Sequence, residues 1–144
     1  MIKYRSEVII NRPPAAVFPF LAEPGRQGSW MDMASSASDG PPVLGPGQEY
    51  TTHVPKGPIA GSYRIRVTAF DQDRAMTLET IEGKVGWTGT FTFEPTADGG
   101  TRMVNEGAIM PRGVLRLVEP LFRGEVSKGE QAELEKLKAL VEAG

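Results

Sequence analysis

Residues Gly113 to Ala143 read GVLRLVEPLFRGEVSKGEQAELEKLKALVEA, and their periodicity decides the fold. Leu134, Leu137, Leu140 and Val141 recur on one stripe of an amphipathic helix. Glu133, Glu135, Lys136, Lys138 and Glu142 fill the remaining surface, and Gly144 is a natural stop. The first half differs. Val114, Leu115, Leu117, Val118, Leu121 and Phe122 spread around most of the circumference, the pattern of a helix buried on more than one side. The second half is therefore expected to dock on a sheet and the first half to reach into an apolar interior. Pro120 and Gly124 or Gly129 are expected to bend the helix between them. At about 1.5 Å per residue the stretch would run on the order of 45 Å, enough to cross a small domain.

Working outward, the preceding chain supplies the sheet. Tyr4 to Asn11 alternates with Tyr4, Ser6, Val8 and Ile10 on one face. Arg12-Pro13-Pro14 ends that strand and opens a helix over Ala15 to Ala22, followed by a second short helix or turn from Gly25 to Trp30. Met31 to Ser38 reads as a strand with Met31, Met33, Ser35 and Ala37 inward, and the next strand is Gln48 to Val54. Gly61 to Asp71 alternates, with Tyr63, Ile65, Val67 and Ala69 inward. A four-residue turn at Asp71 to Arg74 sets Val67 against Leu78 and Arg66 against Glu79. A Gly83-Lys84 hairpin sets Thr80 against Trp87, Leu78 against Gly89 and Met76 against Phe91. The last strand, Thr101 to Met110, buries either Met103, Asn105, Gly107 and Ile109 or Val104, Glu106 and Ala108. The first register is chosen, because burying Asn105 costs less than burying an ionised Glu106.

The predicted fold class is α+β: a curved antiparallel sheet of about seven strands around a long C-terminal helix, with two short helices after the first strand. A chain of 144 residues makes one domain, 1–144. Net charge is −2, and neither half carries a basic run, so nucleic acid and anionic membrane have no electrostatic footprint in the linear sequence. Cys is absent and His53 is the sole histidine, which argues against disulfides, thiol chemistry and a transition-metal site. No apolar run approaches the ~20 residues that span a bilayer, and Met1 leads into no signal-peptide layout, so a cytoplasmic location is expected.

Further along, Ile10-Asn11-Arg12-Pro13-Pro14-Ala15-Ala16-Val17-Phe18, Trp30, Leu44-Gly45-Pro46-Gly47, Val67 to Asp73, Phe93-Glu94-Pro95, Gly99-Gly100-Thr101-Arg102-Met103 and Leu134 to Glu142 occur in order. Together they resemble the START-like, or SRPBCC helix-grip, superfamily in its polyketide cyclase/dehydrase and lipid-transport-like branch. That resemblance implies a hydrophobic small molecule held between sheet and helix. It carries no catalytic motif onto a numbered position.

The inward face nominates a ligand-binding set: Trp30, Met33, Tyr50, Thr52, Tyr63, Ile65, Val67, Leu78, Thr80, Trp87, Phe91, Met103, Asn105 and Ile109, with Leu115, Val118 and Phe122 from the helix. The same aromatics could equally form a solid core. Gly89 leaves a gap between Trp87 and Phe91, and the polar groups on a face that should be dry suit a pocket. Its mouth is expected among the Met31 to Gly47 region, the Pro55 to Ala60 loop and the helix start at Pro111 to Leu115. Glu106 and Asp32 are the nearest carboxylates by pattern. His53 faces outward unless the strand slips, in which case it could act as a base. Ser35 and Ser36 lack a nucleophile-elbow setting, and the Gly83, Gly86, Gly89 spacing sits in a hairpin and not in a phosphate loop. The implied partner is a hydrophobic small molecule, without cofactor, metal, nucleic acid or membrane insertion, on a monomer or homodimer. The alternatives are a polyketide cyclase or dehydratase, in which Tyr50, Tyr63 or Asn105 polarises a carbonyl, and a co-chaperone-like interaction module.

Overall fold

The computed structural model describes residues 1–31 and 37–144, with side chains described outside 32–39. Met33, Asp32, Ser35 and Ser36, named above, lie outside the described residues or side chains. Among the described residues, seven antiparallel strands form one curved sheet in the order β1-β7-β6-β5-β4-β3-β2. They are β1 (Ile2–Ile10), β2 (Ala37–Asp39), β3 (Glu49–Val54), β4 (Gly61–Asp71), β5 (Ala75–Glu82), β6 (Val85–Pro95) and β7 (Thr101–Pro111). Six are long, and β2 has three residues. A 3-10 turn (Gly113–Val118) leads into the long helix, here α4 (Glu119–Ala143).

Among the described residues between β1 and β2 the chain makes three single-turn helices, α1 (Pro14–Val17), α2 (Pro19–Ala22) and α3 (Pro24–Gln27). The continuous helix expected over Ala15 to Ala22 is divided at Phe18. Each turn begins on a proline, whose fixed φ and missing N–H suit a first helical position and no later one. Glu23, ahead of Pro24, is extended at φ −103° and ψ 104°, as a residue before proline prefers.

The hairpins place the inner face. Val67 pairs with Leu78 and Arg66 with Glu79, as expected, but the turn is shorter: Asp71 pairs with Ala75. Asp73 turns through φ 60°, and the register is recovered by a bulge between Val67 and Ala69. That extra residue turns Ala69 outward and Phe70 inward, reversing the simple alternation. On β7 the chosen register is found, with Met103 and Asn105 buried and Glu106 exposed.

Helix α4 lies along β1, the edge strand, and satisfies backbone groups the sheet leaves open. The Gln131 side chain accepts from Glu7 N–H at 3.2 Å and donates to Glu7 C=O at 3.0 Å. Lys138 Nζ donates to Ile9 C=O at 2.8 Å. Covering an edge in this way blocks strand addition by another chain. Leu134, Leu137 and Val141 carry the buried stripe, whereas Leu140 is exposed.

The first half of the C-terminal stretch departs from expectation. Val114, Leu117 and Leu121 are 80%, 83% and 76% exposed, so this segment is not buried on several sides. Pro120 stands at the first turn of α4, where proline is accommodated, and so starts the helix instead of bending it.

Candidate functional site

The space between sheet and α4 has a solid half and an open half. Near α1–α3, Phe18 meets Phe70 and Phe93 edge-on at centroid distances of 5.8 and 5.2 Å. Trp30 meets Phe91 at 6.1 Å. Trp30, Val67, Leu78, Phe91 and Met103 belong to this packed core and border neither of the cavities described below. Trp30 is held there by its indole N–H, which donates to Phe20 C=O at 3.0 Å.

Toward the other end lies an inner hollow of about 50 Å³ bordered by Tyr50, Thr52, Tyr63, Ile65, Thr80, Trp87 and Ile109, together with Val54, Val85, Gln27 and Met31. An outer groove of about 320 Å³ runs between α4 and the sheet, bordered by Leu115, Phe122, Ile59, Val126, Ile2 and Pro111 among others. Val85, Ile109, Glu130 and Glu133 border both, so hollow and groove adjoin. Of the predicted set, seven residues meet the hollow and Leu115 and Phe122 join Ile109 at the groove. Val118 borders neither. The groove opens among Pro58, Ile59, Pro111 and Leu115, at two of the three predicted mouth segments.

The gap expected beside Gly89 is filled. A Cβ on Gly89 would meet Trp87 Cζ2 at 2.6 Å and Tyr4 Oη at 3.1 Å. The missing side chain therefore seats the indole and a phenol. Around them runs a buried relay. Trp87 Nε1–H donates to Tyr4 Oη at 2.7 Å, Tyr4 O–H donates to Asn105 Oδ1 at 3.3 Å, and Asn105 Nδ2–H donates to Glu130 Oε2 at 2.9 Å. Every donor points the same way, toward a carboxyl on the cavity wall. Burial pushes the Tyr4 phenol well above the ordinary range, the nearby Glu130 charge pushes it further, and the Trp87 and Asn105 hydrogen bonds oppose this.

Glu130 and Glu133 are the carboxyls that pattern reading misses. They are 8% and 4% exposed, while Glu106 faces solvent. Glu133 thus departs from the outer surface of the helix, where its charge places it by pattern. Extending the Leu134, Leu137, Val141 stripe one turn back finds both, because positions 130 and 133 continue its spacing of three and four. Tyr4 and Gln27 are also absent from the predicted set. Tyr4 lies on the inward face of its strand, but nothing in the linear pattern joins it to Trp87.

The hydroxyls named as carbonyl-polarising groups are engaged by the protein. Tyr50 O–H donates to Gln27 Oε1 at 2.9 Å, and Tyr63 O–H donates to Ile59 C=O. His53 is exposed, with Nδ1 3.0 Å from Ser62 Oγ. Among the described residues, no group of three His, Cys, Asp or Glu side chains is placed to hold a metal ion, and no helix is long and apolar enough to cross a membrane.

Burial also raises the Tyr50 phenol, opposed by the Gln27 hydrogen bond. A phenol raised in the folded state gives stability that is full below its unfolded value, near pH 10, and is lost as pH climbs toward the folded value. Denaturant titrations should therefore show stability falling above about pH 10. Tyr50→Phe should cost about 1 kcal/mol at neutral pH and shallow that alkaline decline; an unchanged alkaline slope would remove Tyr50 as a cause.

A curved antiparallel sheet with a long C-terminal helix and a cavity between them defines a helix-grip domain of the START-like superfamily. The family model described as polyketide cyclase / dehydrase and lipid transport matches residues 1–142, and the chain belongs to that family. Solved structures agree in fold. The ZhuI aromatase/cyclase from Streptomyces sp. R1128 aligns over 97% of this chain and 93% of its own, with a TM-score of 0.79 at 14% identity. BH1534 from Bacillus halodurans aligns over 98% and 97%, with a TM-score of 0.74 at 16% identity. TTHA0849 from Thermus thermophilus aligns over 98% and 97%, with a TM-score of 0.72 at 18% identity. No curated protein matches this chain.

Proposed function

We propose that this domain binds an apolar or aromatic small molecule in the groove between α4 and the sheet, with one end of the ligand reaching the inner hollow. The observation that carries this reading is that a 320 Å³ apolar groove adjoins the hollow beside Trp87, with Glu130 and Glu133 bordering both. A pocket with apolar walls and a few convergent polar groups is the usual form of a small-molecule site. A ligand burying about 300 Å² of apolar surface would gain about 7.5 kcal/mol before the costs of immobilisation. Micromolar affinity then needs a polar match as well. The carboxyls at the junction favour a ligand that offers a hydrogen-bond donor there, because carboxyl oxygens accept hydrogen bonds.

Titration with N-phenyl-1-naphthylamine, a neutral apolar fluorophore, tests the site. Trp87→Ala and Tyr63→Ala should each weaken binding about tenfold, the loss of roughly 1.4 kcal/mol of wall contact. Unchanged affinity in both would refute the assignment. Native mass spectrometry of freshly purified protein would identify the class of any retained ligand.

A second reading, a cyclase or dehydratase, is favoured by the relay that ends on Glu130. A carboxyl supported by an aligned chain of donors is suited to exchange a proton with a bound carbonyl compound. In that case Glu130→Gln should abolish turnover of a polyketide-like substrate while the fluorophore still binds. Equal turnover in wild type and variant would discard the reading.

A further inference from the structure

The cavity wall is one-sided in its chemistry. Among the described residues that border the hollow or the groove, the charged ones are Glu125, Glu130 and Glu133, and none is Lys, Arg or His. Glu130 and Glu133 are buried and stand three positions apart, on one face of α4. Gly129 also borders the groove, and a Cβ there would meet nothing within 4 Å, so the helix surface beside Glu130 is open. The side-chain donors of the hollow are largely spent on the protein. The Trp87 indole N–H goes to Tyr4, the Tyr50 hydroxyl to Gln27 and the Tyr63 hydroxyl to Ile59 C=O. The Gln27 amide gives an N–H to Leu21 C=O at 2.8 Å. A bound group that needs donors therefore finds few, and one that needs acceptors finds carboxyl oxygens. The aromatic rings of Tyr50, Tyr63 and Trp87 border the same hollow, and a ring face attracts positive charge.

We propose that the ligand of this cavity is an apolar amine, with its body in the groove and its protonated head group where hollow and groove adjoin, against Glu130 and Glu133. The inference rests on the small-molecule reading above; the cavity is the site, and the carboxyls set which head group it takes. An ammonium group only donates hydrogen bonds and matches a wall that mainly accepts. Hydrogen bonds between ionised partners are also the stronger kind. A positive charge beside a buried carboxyl favours its ionised form and offsets the cost of keeping it out of water. The other two head-group classes are disfavoured for separate reasons. A carboxylate, as on a fatty acid, would set like charge against Glu130 and Glu133 in a poorly screened interior. A carbonyl would face donors already committed to Tyr4, Gln27, Ile59 and Leu21. Selection of this kind works as much by rejection as by attraction.

Displacement of N-phenyl-1-naphthylamine from the intact chain by decylamine, 1-decanol and decanoate tests the proposal. The three share one apolar body and differ only in head group, and at about pH 7 the amine is protonated and the acid ionised. Below their micellar concentrations, decylamine should displace the fluorophore at least about tenfold more tightly than 1-decanol, and decanoate at least about tenfold more weakly. Glu133→Gln should cut the ratio of amine to alcohol affinity about tenfold. Glu106→Gln is the control: it removes the same charge from an exposed position that borders neither hollow nor groove, and the ratio should stay at its wild-type value. Should Glu133→Gln fail to fold by circular dichroism, the wild-type ranking decides alone. The proposal is overturned if the alcohol competes as well as the amine, or if decanoate competes better. It is equally overturned if Glu106→Gln lowers the ratio as far as Glu133→Gln, which would make net charge the cause. In each of these cases the apolar cavity still stands. If none of the three displaces the fluorophore, the cavity reading falls and this inference falls with it.

Discussion

Replacing Ile109 by Trp is expected to weaken uptake of N-phenyl-1-naphthylamine by about a hundredfold while leaving the protein folded. Ile109 pairs with Ile2 on β1 and with Trp87 on β6, so it faces inward at the point where the sheet leaves the helix. It packs against the small cluster of Val54, Tyr63 and Val85, and it borders both the hollow and the groove. An indole at this position projects into open space and separates the two. A hundredfold loss corresponds to about 2.7 kcal/mol, the equivalent of denying the ligand roughly 110 Å² of apolar contact. Stability should change by less than about 1.5 kcal/mol, because the added atoms enter a cavity and not a packed core. Equilibrium titration of the two proteins decides the matter. Equal affinity would mean that the ligand does not pass this junction.

The second large effect is on stability. Gly107→Val should lower the unfolding free energy by about 3 kcal/mol or more, at the upper end of what overpacking costs. Gly107 pairs with Gly89 on β6 and with Tyr4 on β1. A Cβ on Gly107 would collide with Thr88 C=O and lie 2.9 Å from both Gly89 Cα and Tyr4 Oη. Two of these neighbours are backbone atoms of a paired strand and cannot rotate aside. Relief would move Tyr4 and break the relay from Trp87 to Glu130. Gly124→Ala is the matched control. Its Cβ would meet nothing within 4 Å, and alanine in an exposed helix should stabilise by up to about 1 kcal/mol. Urea unfolding would expose an error directly: a Gly107→Val midpoint equal to wild type would show that the paired glycines are not a structural floor.

The two glycines illustrate what pattern reading can and cannot reach. Gly89 is legible as a vacancy on the inner face, because burial alternates from Gly89 through Phe91 and Phe93 to Glu94. Its neighbour in space, Gly107, and the side chains that fill the vacancy include contributions from β7 and β1, strands distant in sequence. Which side chain crosses a missing Cβ is set by three-strand packing, to which a periodicity of two is blind. The β4–β5 turn makes the same point. Pairing of Val67 with Leu78 follows from alternation, yet the bulge that turns Ala69 out and Phe70 in leaves no mark on composition.

The alternating strands, the glycine and proline punctuation and the long terminal helix were determined by the sequence itself. Local sterics and the two hydrophobic periods act over a few residues and need no tertiary context. What the helix buries was decided only by the folded chain. The hydrophobic stripe of α4 continues back into Glu130 and Glu133, buried at the cavity wall where Glu130 meets Asn105, while Val114, Leu117 and Leu121 remain in water. Apolar residues all round a helix show that several faces are able to be buried. Only the strand that α4 lies along, and the reach of the sheet beyond it, determine which faces are.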